Sequence, residues 1–158
     1  MKNGVKLDNR TIEEFVDDIL STIKYLKAKG YKRIGLYGVS FYGVVSVIAA
    51  SRNSDLKVMA LKTPGMGHTA RKMPNYKKDF DLRSWITAGQ KINIPTLIVH
   101  GTLDEKVELQ FGKDLAKSIN SCKLEMIEGA DHRFTKKRDF DRCIKAISEF
   151  IISHINKT

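Results

Sequence analysis

Little in this 158-residue chain invites redox, metal or membrane chemistry. It has only two cysteines, Cys122 and Cys143, too far apart for a CxxC pair. With no metal-ligand spacing around them, they read as reduced, mostly buried thiols. No apolar run comes near the ~20 residues of a membrane span. The opening segment MKNGVKLDNR is polar and lacks the apolar core of a secretory signal. Zinc-finger, KH and RRM signatures are missing as well. The expectation is a cytoplasmic protein with no membrane attachment, no metal and no organic cofactor.

What is present suits one globular domain spanning residues 1–158, with 42% hydrophobic and 29% charged residues. The net charge of +10 raises nucleic acid as a partner. However, the basic residues run along the whole chain. Their densest clusters, Lys136-Lys137-Arg138 and Lys77-Lys78, are short and have no interleaved aromatic platform. A solvated basic surface with no specific nucleic acid is the better reading. A true anion-binding module would instead bind in a steeply salt-dependent way.

Periodicity divides the chain into alternating helices and strands. From Thr11 to Lys29, Ile12, Phe15, Val16, Ile19, Ile23 and Leu26 recur at helical spacing, with Asn9 or Thr11 as cap and Gly30 at the end. KRIGLYG (32–38) reads as a short buried strand, and FYGVVSVIAAS as a helix buried over most of its surface. Further strands fall near 56–61, 95–100 and KLEMIEG (123–129). Further helices fall near 80–88, 108–119 and 136–155. Short, continuously apolar strands between helices predict an α/β fold, a parallel sheet of about four strands with helices on both faces. Residues 64–91 read as a short cap-like loop and helix insertion, the loop 65–78 having no clear period.

In open parallel sheets ligands gather at the carboxyl ends of the strands, where three chemistry-bearing residues fall. Ser40 follows the first strand, Asp104 the third and His132 the fourth. Alone, Ser40 reads as a helix cap, Asp104 as a turn residue and His132 as a loop imidazole. Together they have the types and order of a nucleophile, an orienting acid and a base. The backbone N–H of Phe41, after the serine, would face a developing oxyanion. Asp131 reads as a turn residue, and His100, closing a strand, as structural. Tyr42, Met66, His68 and Trp85 are candidates for a substrate pocket. Met66 and Trp85 serve equally well as core, and His68 reads more readily as an exposed loop residue.

The segments Gly38-Val39-Ser40-Phe41-Tyr42-Gly43, His100-Gly101-Thr102-Leu103-Asp104 and Gly129-Ala130-Asp131-His132-Arg133-Phe134 resemble the α/β-hydrolase superfamily. The resemblance is in particular to its cinnamoyl- or feruloyl-esterase-like and serine-aminopeptidase-like branches. The resemblance implies a serine hydrolase acting on a small carboxylic ester, ahead of an amide or thioester, through Ser40, His132 and Asp104. Two departures stand out. Tyr42 occupies the last glycine of G-x-S-x-G, so its ring must swing clear or distort the turn. The family's strands before the first helix have no counterpart, which implies an N-terminally truncated fold without the second oxyanion donor. The strand at 32–37 would then be an open edge, inviting a homodimer or a complementing chain. The same departures support an alternative, a catalytically impaired member of the fold used for binding or assembly.

Overall fold

The computed structural model describes residues 10–66 and 82–156. Helix α1 (Ile12–Ala28) begins at a reciprocal cap. The Glu14 N–H donates to Thr11 Oγ1 at 3.2 Å, and the Thr11 N–H donates to Glu14 Oε2 at 2.6 Å. Thr11 is therefore the cap, and Asn9 lies outside the described residues. The chain leaves α1 through Gly30 at φ 89°, a left-handed conformation that favours glycine. Strand β1 (Ile34–Val39), helix α2 (Phe41–Ser51), strand β2 (Leu56–Lys62) and helix α3 (Leu82–Gly89) follow. Then come β3 (Thr96–Gly101), α4 (Leu109–Ser118), β4 (Cys122–Ile127) and α5 (Lys137–Ile155).

The four strands form one parallel sheet in the order β1-β2-β3-β4, as the alternating pattern requires. Side chains alternate across it. Met59, Leu61 and Ile98 join the larger core beneath α1 to α4, while Ala60, Leu97 and Val99 face Phe134, Cys143 and Ile147 on the α5 side. All six residues of β3 are buried, as befits a strand covered on both faces. β4 stops at Ile127, short of the expected Gly129, because Gly129 turns the chain at φ 74°. Of the cap-like insertion at 64–91, residues 67–81 lie outside the described residues, Phe80 and His68 among them.

Register places the carboxyl ends of the strands on one rim. Val39 pairs with Lys62, Lys62 with Val99, and Gly101 with Ile127. Ser40, Asp104 and His132 thus leave the sheet at one level. Neither cysteine forms a disulfide. Burial pushes the Cys122 thiol up to about 12 and Cys143 up to about 11, so neither supplies a thiolate near neutral pH.

Among the described residues β1 has one strand neighbour, β2, and its Tyr37 is 46% exposed. This is the edge at which the sequence predicts a homodimer or a complementing chain. Light scattering checks it: a mass that rises with concentration supports pairing there, and a constant monomer mass counts against it.

Candidate active site

Ser40 sits between β1 and α2 at φ 52° and ψ −122°, which a residue with a Cβ adopts only under constraint. Backbone hydrogen bonds impose it. The Ser40 N–H donates to Lys62 O at 2.9 Å, and Ser40 O accepts from the N–H groups of Gly43 (2.9 Å) and Gly65 (3.1 Å). Close approach does the rest. A Cβ on Gly38 would lie 2.5 Å from Ser46 Oγ and 2.8 Å from Tyr42 O, and one on Gly43 2.8 Å from Pro64 Cβ. These two glycines make the sharp turn geometrically accessible. Tyr42 does not distort it. The tyrosine ring turns outward, 47% exposed, and meets Phe15 and Phe41 edge-on at 5.6 and 5.3 Å.

The Ser40 side chain makes no capping bond to α2. Its Oγ instead lies 3.1 Å from His132 Nε2. The other ring nitrogen of His132, Nδ1, is 2.8 Å from Asp104 Oδ2 and 3.0 Å from Oδ1. The three residues form one hydrogen-bonded chain across 92 positions of sequence. Because a carboxylate can only accept, the proton between them belongs to Nδ1, which leaves Nε2 as an acceptor facing the serine hydroxyl. His132 is held from behind as well, its backbone N–H donating to Glu105 Oε2 at 3.3 Å. Asp131 is the turn residue expected, accepting from the N–H and hydroxyl of Thr135.

The Asp104 side chain is fully buried. Burial pushes its carboxyl up, but hydrogen bonds from His100, His132 and the Val107 and Lys106 N–H groups outweigh it. They hold the carboxyl well below the usual carboxylate range. The Lys106 and Val107 N–H groups donate to Oδ1 at 2.9 and 2.8 Å. Asp104 therefore stays ionised beside His132 even away from water.

The pocket candidates separate. Met66 and Trp85 are buried in the larger core, and the Trp85 ring packs 5.8 Å from Phe111. Tyr42 lines the outer surface beside Phe15, and His68 lies outside the described residues. Sequence reasoning missed two features. Thr63, just past β2, is buried at φ 45°, and Phe134, two residues after His132, at φ 59°. With Ser40 they place all three non-glycine left-handed residues among the described ones around this rim. Neither position carried a signal for this conformation, since a residue before proline, as Thr63 is, favours extended backbone. The second missed feature is the contact of His100 with Asp104, at 3.3 Å. Its signal was a histidine four residues before an acid across a turn.

Solved hydrolase structures share this fold. A monoacylglycerol lipase from Paleococcus ferrophilus superposes with a TM-score of 0.74 at 15% identity, over 92% of this chain and 76% of that one. Est1E from Butyrivibrio proteoclasticus, solved with ferulic acid, gives 0.75 at 22% identity, over 96% and 72%. A dienelactone hydrolase from Anabaena variabilis gives 0.73 at 17% identity, over 92% and 62%. At these identities the likeness is one of fold, and the fold is that of an α/β-hydrolase. No curated protein matches the sequence. The family model of the dienelactone hydrolases, however, matches residues 2–149, nearly the whole length, and the chain belongs to the dienelactone hydrolase family.

Proposed function

We propose that this protein is a serine hydrolase acting on small carboxylic esters, ahead of amides or thioesters. The observation that carries the reading is the direction of one hydroxyl. Ser40 stands where a helix cap would stand, yet its Oγ faces His132 Nε2 and makes no bond to α2. A capping serine would gain a hydrogen bond by turning the other way.

The chemistry follows from the geometry. His132 Nε2 takes the Ser40 proton as Oγ attacks the ester carbonyl, and later returns it to the leaving alkoxide. Asp104 keeps the proton on Nδ1 and offsets the positive charge that develops on the imidazole. Phe41 opens α2, so its N–H stands at the positive end of the helix dipole, where charge develops on the carbonyl oxygen. Activated water then repeats the sequence on the acyl-serine. The choice of esters draws support from family membership and from the neighbours solved as an esterase domain from Rhodothermus marinus and as Est1E.

A biotin-tagged fluorophosphonate tests the reading, since it reacts only with an activated serine. The expected result is one adduct per chain on the Ser40 peptide, abolished by heat unfolding before exposure. A folded protein that remains unlabelled would favour the impaired, binding or assembly reading. The feature that first suggested impairment, Tyr42, leaves the turn intact.

A further inference from the structure

We propose that His100 is a positioning residue of this site, its Nε2–H holding the Asp104 carboxylate in the orientation that engages His132. The inference rests on the triad reading and extends it to a residue one strand back.

The imidazole of His100, at the end of β3, is wholly buried. Its Nε2 lies 3.1 Å from Val107 O and 3.3 Å from Asp104 Oδ2, both acceptors, so Nε2 carries the proton and shares it between them. Nδ1 has no hydrogen-bond partner among the described residues and lies against α4. A Cβ on Gly112 would sit 2.6 Å from Nδ1, so this position of α4 leaves the ring room only as glycine. The ring is wedged between α4 and the turn at Val107. It can neither slide away from Asp104 nor present its other nitrogen.

The consequence for Asp104 is a division of labour between its oxygens. Oδ1 accepts from the Lys106 and Val107 N–H groups, which fix the carboxylate at one end. Oδ2 receives His100 Nε2 and the shorter of the two His132 Nδ1 contacts, 2.8 Å against 3.0 Å to Oδ1. Without His100 the carboxylate could still bond His132, but it would be free to rotate about the anchored oxygen. Ser40 lies beyond His132, so a tilt of that imidazole moves the base directly relative to the nucleophile.

Three substitutions test this: His100→Gln, whose amide nitrogen reaches about where Nε2 lies, and His100→Leu and His100→Asn, which lack a donor there. The measurements are the fluorophosphonate labelling rate, the melting temperature and the acid titration of the Asp104 carboxyl carbon by NMR. With the donor lost, labelling should slow about a hundredfold, the scale of a small misplacement of a catalytic group. His100→Gln should recover most of that rate. In an Asp104→Asn background, His100→Leu should cost nothing further, because its effect passes through that carboxylate. The Asp104 midpoint should rise in the Leu and Asn variants and stay low in the Gln variant. A merely structural role would lower the melting temperature and leave that midpoint in place.

Folded Leu and Asn variants that label as fast as the parent, or an Asp104 midpoint that ignores the donor, would overturn the proposal. Should the parent protein fail to label while the Asp104 midpoint still follows the donor, the hydrolase reading falls and the hold of His100 on Asp104 stands. Should the Leu variant fail to fold, the comparison of Gln with Asn decides alone.

Discussion

His132→Ala is expected to lower turnover of a short-chain aryl ester by roughly a millionfold, and Ser40→Ala by about the same factor. The equality is the informative part. Ser40 Oγ is a poor nucleophile until its proton has somewhere to go, and the acceptor 3.1 Å away is Nε2 of His132. Removing either partner removes one event, the transfer of that proton during attack, so the double variant should be no slower than the worse single one. The residual rate in all three would come from substrate binding and from donors such as the Phe41 N–H. Matched substrate-saturation curves for the parent and the three variants measure this. If His132→Ala retained a tenth of the parent activity, the base would have to be another group, and the Ser40–His132 contact would be a packing contact. Folding should be nearly unaffected, because Ser40 is held through its backbone, by Lys62 O, Gly43 N and Gly65 N, rather than through its hydroxyl.

The architecture was legible because each level of the sequence agreed with the next. The helical spacing from Ile12 to Leu26, with Asn9 or Thr11 ahead of it as cap, announced α1. Apolar runs too short for helices announced strands, and the helical runs between them required a parallel sheet. Once the sheet is parallel, residues just past its strands must share a rim, which is why Ser40, Asp104 and His132 could be brought together on paper. What stayed hidden depended on three-dimensional proximity with no period behind it. Whether Met66 and Trp85 faced a ligand or the core could not be read, since an apolar side chain serves either, and both prove to be core. His100 looked structural because a histidine ending an apolar strand usually is. Its contact with Asp104 appears only when the turn at 101–104 folds the acid back over the end of β3. Likewise the Tyr42 ring meets Phe15, contributed by α1, a contact with no period behind it in the sequence.

Asp104→Asn should cost about ten-thousandfold in turnover while leaving the fold in place, and the reason lies in counting donors. The carboxylate receives four N–H groups: Lys106 and Val107 on Oδ1, His100 on Oδ2, and His132 across both. An asparagine offers one acceptor oxygen. If that oxygen stays with the two backbone donors, the new NH₂ faces His132 Nδ1 and His100 Nε2–H. His132 can then bond only by becoming the acceptor at Nδ1, which moves its proton to Nε2 and aims a donor at Ser40. The base is lost although every atom is within a short distance of its former place. The same substitution alters the acid response of stability. The Asp104 carboxyl is depressed in the folded protein, so below about pH 3.9 the unfolded chain binds a proton that the folded one does not. Its stabilisation is complete above that pH and declines as pH falls further. The variant has no such group, so its stability should fall less steeply with acid than that of the parent. Denaturant unfolding of both proteins between pH 2 and 6 measures the difference. Parallel curves would mean that the four donors do not hold the carboxylate ionised, and the account of His132 orientation would lose its foundation.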